Sequence, residues 1–314
     1  MKKVLLMFFV AFAAITLIGC NSSEFKVDGE FMAYEETVAR NAPQVTMVTV
    51  TIEDGKIVGY NIDTRQARRT ATTTGEGEDA VTTYSWAWNA MTKKELGDDY
   101  GMVTEPDQLE WYEQAALIEA HLLENGVDSI TFDNDGYTTD LGASVSITVD
   151  QYIKLAQEAV ELAKLGKFQA VYTSGTDLYS AHMIVTPKGE IEELLLDVRQ
   201  STRDASAGTF VWNEKTKQEL GFDYGMVGAG GYAFVDGAWV AQGTCTLEWF
   251  EQAALITDYV LANGWNDNLQ PVAQRGGSLN GTTLIDELAA ATIRTGGYFT
   301  ILKTLFDFAG DSVK

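Results

Sequence analysis

Two pairs of a carboxylate and a hydroxyl recur at the same spacing in this 314-residue chain. Asp286 precedes Thr292 by six residues, and Asp140 precedes Ser146 by six residues. A helical pattern follows each hydroxyl. The free N–H groups and the positive dipole end of a helix start stabilise an anion such as a phosphodiester. Serine and threonine also begin helices without further chemistry, and spacing alone favours that simpler interpretation.

The two pairs belong to an internal duplication. The repeated blocks begin at Asp63, Thr92 and Leu109 and return at 197, 216 and 247. The second block, TKKELGDDYGMV, returns as TKQELGFDYGMV with 10 of 12 positions identical. Self-similarity of this kind indicates repeated structural units.

The register of the duplication selects the first hydroxyl. At an offset of 146 residues, Thr292 aligns with Ser146 and Tyr298 with Tyr152. A rival register places Ser144 at the hydroxyl position, but it leaves a threonine where the acid belongs and breaks the tyrosine pairing. We therefore favour Ser146 and keep Ser144 as the alternative.

The segment from Asp286 to Thr292 resembles the covalent flavinylation motif of FMN-binding domains. In that motif an acid is followed by two variable positions, a small residue, Gly, Ala, and a Thr or Ser that is esterified by FMN phosphate. This chain keeps the acid, Ala291 and the hydroxyl, while Ala289-Ala290 replace the usual small residue and glycine. The resemblance implies covalent FMN on two hydroxyls, with one acid in each motif: Thr292 and Ser146, with Asp286 and Asp140.

Two local details follow from these positions. Val145 precedes Ser146, and we expect a β-branched side chain beside the hydroxyl to crowd it, which would make Thr292 the stronger acceptor. Thr148 and Gln151 have the spacing of a capping box at the start of the next helix.

The beginning of the chain has the pattern of a bacterial lipoprotein signal peptide. Lys2 and Lys3 precede an apolar stretch, which ends in Leu17-Ile18-Gly19-Cys20. This ending resembles the lipobox that is cleaved before a diacylated cysteine. We expect residues 1–19 to be removed and Cys20 to carry the lipid.

The chain as a whole resembles lipoproteins with tandem FMN-binding domains that serve extracellular electron transfer in Gram-positive bacteria. The resemblance implies an electron carrier on the outer face of the cell membrane, rather than a stand-alone enzyme. It also implies three kinds of partner: a flavin transferase, a membrane quinol-linked electron donor, and external acceptors such as ferric iron.

Charge and cysteine content exclude other classes. The formal charge is −23, and loss of Lys2 and Lys3 leaves −25, which excludes nucleic acid binding and repels anionic lipid headgroups. Once Cys20 is acylated, Cys245 has no disulfide partner within the chain. With His121 and His182 it makes no metal site.

The pattern within each repeat predicts an α+β fold, an antiparallel sheet packed with helices. Alternating residues flank turns at Asp54-Gly55 and Lys188-Gly189, and helical faces follow from Trp111 and Trp249. We predict a lipid-anchored tether at 20–28 and two tandem homologous domains, 29–164 and 165–314, that touch but have their own cores.

Two other functions remain open at this stage. A ligand-binding lipoprotein would use tryptophans as pocket walls. The helical spacing of Trp111 and Trp249 instead predicts that these two face cores, and we expect the same of Trp88 and Trp212. The four are Trp88, Trp111, Trp212 and Trp249. A scaffolding lipoprotein would need no special hydroxyl.

The lipid anchor is directly testable. Two acyl chains hold a protein on a membrane where one is marginal, so wild-type protein should partition into detergent. Cys20→Ala should be released or retained as an uncleaved precursor. A lipidated mass that persists in Cys20→Ala would contradict the prediction.

Overall fold

The protein has an α+β fold with antiparallel sheets, as predicted. The structure is a computed structural model that describes residues 24–228, 230–235, 238–265, 278–279, 283–284, 288, 290–291, 293 and 296–314. In the first half, four strands pair in chain order in one antiparallel sheet. They are β1 (Gly29–Ala39), β2 (Ala42–Glu53), β3 (Lys56–Thr74) and β4 (Val81–Trp88).

Helices cover one face of this sheet. They are α1 (Lys93–Leu96), α2 (Trp111–Asn125) and α3 (Asp150–Leu165). Helix α2 packs on β3, and α3 packs on β1 and β2. The predicted core face of α2 is confirmed, because Trp111, Ala115, Ile118 and Leu122 are each at most 1% exposed.

The second half contains the same kinds of element in a similar order. Its strands are β5 (Lys167–Ser174), β6 (Asp177–Val185), β7 (Ile191–Arg199), β8 (Ser201–Asp204), β9 (Thr209–Trp212), β10 (Gly230–Val235), β11 (Ala238–Thr244), β12 (Ser278–Leu279) and β13 (Thr283–Leu284). Its helices are α4 (Lys217–Leu220), α5 (Trp249–Asn263) and α6 (Gly296–Ala309). Strands β5, β6 and β7 form one sheet, and three two-stranded pairs follow: β8 with β9, β10 with β11, and β12 with β13.

Both predicted hairpin turns are confirmed. Asp54 and Gly55 connect β2 to β3 with φ of 51° and 69°, the left-handed values that a tight two-residue turn requires. Gly189, at φ 84°, lies in the connection between β6 and β7.

The buried side chains of both halves form one continuous cluster. Within it, Phe31 of β1 stacks on Phe168 of β5, with ring centroids 4.2 Å apart and both side chains fully buried. The two are equivalent by strand register. Phe31 lies three residues before the β1 residue that shares a row of its sheet with Asp63. Phe168 lies three residues before the β5 residue that shares a row of its sheet with Asp197, the repeat of Asp63. The expected boundary after residue 164 therefore crosses a shared core.

A second equivalent pair joins the ends of β4 and β9. We expected Trp88 and Trp212 to face cores like the tryptophans of the helices, and this was wrong. They are half-buried and stack on each other, with centroids 6.4 Å apart. Trp212 Nε1 also donates to the Thr37 carbonyl across the halves, at 3.0 Å. The pattern within one repeat does not reveal a contact between repeats.

Residues 24–28, expected to be part of a tether, pack against the body. Phe25 is 6% exposed and belongs to the core cluster. The Asp28 carboxylate accepts hydrogen bonds from Asp54 N and Gly55 N, both at 2.9 Å. Ser312 Oγ donates to the Asp28 carbonyl at 2.7 Å. Among the described residues no helix is long and apolar enough to cross a membrane.

The shared core predicts that the halves unfold together. Phe168→Ala should lower the free energy of unfolding by about 3–5 kcal/mol, because the cavity it leaves also removes the contact with Phe31. Phe222→Ala is the control, because Phe222 is 74% exposed. Urea titration followed by circular dichroism and by tryptophan fluorescence should give one common transition. Two separate transitions would mean that the halves are independent.

Candidate functional site

The repeated aspartate starts the short helix of each half. The Asp63 carboxylate accepts a hydrogen bond from Lys94 N at 3.1 Å, and Asp197 accepts one from Gln218 N at 3.0 Å. A capping box between Thr92 and Glu95 completes the start of α1. These bonds satisfy N–H groups that have no partner inside the helix.

The arginine two positions later fixes the connection that leads into this helix. Arg65 donates to the carbonyls of Asn89 and Ala90, both at 3.1 Å. Arg199 makes the equivalent bonds, to the carbonyls of Asn213 (2.8 Å) and Glu214 (3.0 Å). The repeated Asp-x-Arg-Gln motif is therefore a scaffold for the loop after β4 or β9.

A buried glutamate ties the next loop to the start of α2. Glu110, 6% exposed, accepts hydrogen bonds from Met102 N and Val103 N, both at 3.0 Å. These backbone donors hold the pKa of Glu110 below its usual value. Glu248 accepts the equivalent bonds, from Met226 N (2.7 Å) and Val227 N (3.0 Å).

A fully buried glutamine holds the segment that contains the first candidate hydroxyl. Gln114 Oε1 accepts hydrogen bonds from Ser146 N at 2.7 Å and Ile147 N at 3.2 Å. Its Nε2 donates to the Leu109 carbonyl at 2.8 Å. We call Gln114, and Gln252 at the equivalent place, the clamp glutamines.

The second clamp glutamine makes corresponding bonds. Gln252 Oε1 accepts a hydrogen bond from Ile293 N at 3.1 Å, and its Nε2 donates to the Leu247 carbonyl at 3.0 Å. Ile293 thus occupies the place of Ile147. This equivalence has the 146-residue offset that aligns position 292 with Ser146.

Neighbouring contacts follow the same offset. Trp111 Nε1 donates to Tyr152 Oη at 3.2 Å, and Trp249 Nε1 donates to Tyr298 Oη at 2.9 Å. Burial raises the pKa of both tyrosines, so both phenols stay protonated. Each tyrosine lies in the first turn of the helix that follows the candidate hydroxyl.

Ser146 and Ser144 are both exposed, and Ser144 ends a 3₁₀ turn over Gly142–Ser144. Val145 between them is 5% exposed, and Ala291 is 1% exposed. The Val145 side chain therefore packs into the core, so the expected crowding of the Ser146 hydroxyl loses its basis. The other two candidates, Thr292 and Asp286, lie outside the described residues.

Asp140 has a local structural role. Its carboxylate accepts hydrogen bonds from Thr131 N at 2.6 Å and Thr131 Oγ1 at 2.8 Å, which hold its pKa below the usual value. Its own N–H bonds to Thr138 Oγ1 at 3.1 Å. These bonds close the loop of residues 131–140, and none of them reaches Ser146.

The predicted capping box at α3 was wrong. The N-cap residue is Val149, without a side-chain cap, and Thr148 faces a cavity instead. Gln151 accepts from Thr46 Oγ1 at 3.0 Å and donates to Glu35 at 2.6 Å. The sheet offers Gln151 partners that the local sequence cannot show.

A cavity of about 1020 Å³ adjoins the clamped segment in the first half. Ile147 and Thr148 form part of its wall. Its charged lining residues are four cations and one acid, namely Arg40, Arg68, Arg69, Lys93 and Asp99. Its aromatic lining residues are Tyr100, Trp111, Tyr137 and Tyr152.

Lys93 is a half-buried cation of this lining. Its ammonium lies 5.1 Å from the ring centroid of Trp111 and 5.2 Å from that of Tyr100. Burial lowers the pKa of Lys93 to about 8, so it still carries its charge at neutral pH. Lys217 has the equivalent place in the second half, over the rings of Tyr224 and Trp249.

The described lining of this cavity includes neither histidine nor Cys245. His182 bonds to Glu193, and burial lowers the pKa of His182. Cys245 is buried and not in a disulfide. Within the described part of the chain, no cluster of His, Cys, Asp or Glu has the arrangement of a metal site.

Comparison with known proteins adds little to this geometry. No protein family and no curated protein match the chain. A solution NMR structure from Clostridium thermocellum, a Northeast Structural Genomics Consortium target, has 25% sequence identity. The match covers 43% of this chain and 89% of that chain, with a TM-score of 0.27. So low a score carries no argument about fold or function.

The clamp glutamine can be tested by substitution. Gln114→Leu should lower the free energy of unfolding by about 1–3 kcal/mol, because Ser146 N and Ile147 N lose their acceptor. Gln114→Glu keeps an acceptor but loses the donor to the Leu109 carbonyl and buries a carboxylate, so it should also lower the free energy of unfolding. Gln157→Leu, at an exposed glutamine, is the control. Equal stability of Gln114→Leu and the control in urea titration would show that the clamp does not stabilise the segment.

Proposed function

We propose that the protein is a membrane-anchored electron carrier that holds FMN covalently on Ser146 and Thr292. In this proposal residues 29–164 and 165–314 are tandem FMN-binding domains, and Cys20 carries the anchoring lipid. Bound FMN would supply one- and two-electron transfer through its ring system. The protein holds the cofactor and sets its environment.

The observation that carries the proposal is the charge of the first cavity. The whole chain has 45 acidic and 22 basic residues, yet this cavity is lined by four cations and one acid. A phosphate ester needs positive charge, and a planar ring needs aromatic or apolar walls. The residues that line the cavity provide both, so they fit an FMN group.

The chain's own residues have distinct parts in this arrangement. Gln114 holds the backbone of Ser146 from inside and also accepts a long hydrogen bond from Ser146 Oγ, at 3.4 Å, while Ser146 stays exposed to a modifying enzyme. Arg40, Arg68 and Lys93 would hold negative charge on the cofactor. Tyr100 and Tyr137 would contact its ring.

Support for the second acceptor comes from the register and the motif. Ile293 is clamped by Gln252 as Ile147 is by Gln114. The resemblance supplies the rest, since Asp286, Ala291 and Thr292 match the flavinylation pattern. Because it keeps more of that pattern, we expect Thr292 to be modified more completely than Ser146.

The proposed partners follow from the resemblance. A flavin transferase would attach the cofactor, a quinol-linked membrane donor would reduce it, and an external acceptor such as ferric iron would oxidise it. A reversible ligand-binding lipoprotein is the alternative that the cavity itself favours, because cations with aromatic walls would also suit a free anionic aromatic ligand.

Peptide mass mapping separates these proposals. The full chain should be co-expressed with a flavin transferase, denatured and washed, so that only covalent flavin absorbs. Wild-type protein should carry FMN on Thr292 and Ser146. Thr292→Ala should lose the major group and Ser146→Ala the minor one. Each change removes at most a helix-start hydroxyl, worth about 1 kcal/mol, so the fold should persist.

Ser144→Ala is the matched control, because Ser144 is also an exposed serine and lies two residues before Ser146. This variant should keep both FMN groups. FMN found on Ser144 would show that the rival register is correct. Colourless washed protein would contradict covalent attachment, and flavin retained only before denaturation would support reversible ligand binding.

A further inference from the structure

One end of the molecule, which we call the base, gathers the first and last described residues. It consists of residues 24–28, the turns at Asp54-Gly55 and Lys188-Gly189, and residues 311–314, which together line a shallow cavity. Lys314 N donates to the Gly189 carbonyl at 3.1 Å. Together with the bonds of Asp28 and Ser312, this contact holds the first and last described segments together at the base.

The chain between the proposed lipid and the base is short. Glu24, which pairs with Lys164 at 3.1 Å, is only four residues after Cys20. Four extended residues span at most about 14 Å. An anchor at Cys20 would therefore keep the base close to the bilayer.

The base is also close to neutral. The shallow cavity is lined by three lysines and three aspartates, namely Lys26, Lys188, Lys314, Asp28, Asp54 and Asp311. The mature chain has a formal charge of −25 by the count given above, so most of its surface is repelled by anionic headgroups. With Glu24, the side chains of the base carry a formal charge of only −1, so the base is repelled far less than the rest of the surface.

The clamped residues Ile147 and Ile293 lie at the opposite end. Helix α3 runs from the cavity wall at Thr148 to the base at Lys164, and its 16 residues span about 24 Å. Helix α6 begins at Gly296, three residues after the clamped Ile293, and runs the same way to Phe308, whose carbonyl lies close to Gly29 next to the base. The stacked pair Phe31 and Phe168 lies near the base.

We infer that the base is the surface that faces the lipid bilayer, so that both acceptor segments point away from the membrane. This inference rests on the proposed lipid anchor but does not depend on flavin. The two halves would then stand side by side on the membrane. An electron donor would have to reach about one helix length above the lipid surface.

Site-specific quenching tests this orientation. The full lipidated chain would be bound to phosphatidylcholine–phosphatidylglycerol vesicles that contain a lipid with a nitroxide on its headgroup. A fluorophore would be attached to Lys188→Cys, at the base, or to Val38→Cys, at the far end of β1. Lys188 is exposed, Val38 is 42% exposed, and the native Cys245 is buried.

We expect strong quenching at position 188 and several-fold less at position 38. A flexible spacer of about 20 residues inserted between Ser23 and Glu24 should reduce the quenching at 188, because the short connection holds the base down. Equal quenching at both positions, or stronger quenching at 38, would overturn the orientation while leaving the anchor intact.

Vesicle flotation separates the orientation from the anchor. Wild-type protein should float with the vesicles, and mature chain with Cys20→Ala should not. If the wild-type protein fails to float, the anchor and the orientation are both overturned. Neither readout uses the cofactor, so they are independent of whether Ser146 or Thr292 carries FMN.

Discussion

The amide of the buried clamp glutamine is the interaction on which the rest of the site depends. Gln114 donates to the start of its own helix and accepts two N–H groups from the segment of Ser146. A side chain with both a donor and an acceptor satisfies backbone groups of two separate segments at once. If the Gln114 side chain were absent, this irregular loop would leave N–H groups unpaired in a buried place, at a cost comparable to that of losing a hydrogen bond. The other repeated motifs place the neighbouring loops around this point.

Much of the fold could be predicted, because local chemistry dictates it. The core face of α2 follows from helical spacing, and the Asp54-Gly55 turn follows from the few residues that accept left-handed φ values. The duplication holds a signal that we did not use, since Gln114 and Gln252 are repeated polar residues on an otherwise apolar helical face. Their role as clamps could not be predicted, because their partners lie about 30 to 40 residues away along the chain.

The failures have a common physical cause. Thr148 has the right residue type to cap α3, but the competing partners of Gln151 lie on β1 and β2. The rings of Trp88 and Trp212 are apolar enough for a core, yet they meet each other between the halves. In both cases the local pattern correctly identified groups that need a partner. Tertiary structure decided which partner they found.

The stacking of Phe31 on Phe168 has an evolutionary consequence. Equivalent residues that touch each other are the mark of an isologous contact, in which the same patch is used twice. In a dimer of identical chains, every substitution in that patch appears on both sides at once, and assembly depends on protein concentration. Joined in one chain, the two patches meet at a fixed, high effective concentration, and each is free to change alone. Fusion would therefore allow one copy to acquire new features while the contact itself is preserved. The β10–β11 hairpin is such a feature, because the first half has no counterpart to it between α1 and α2.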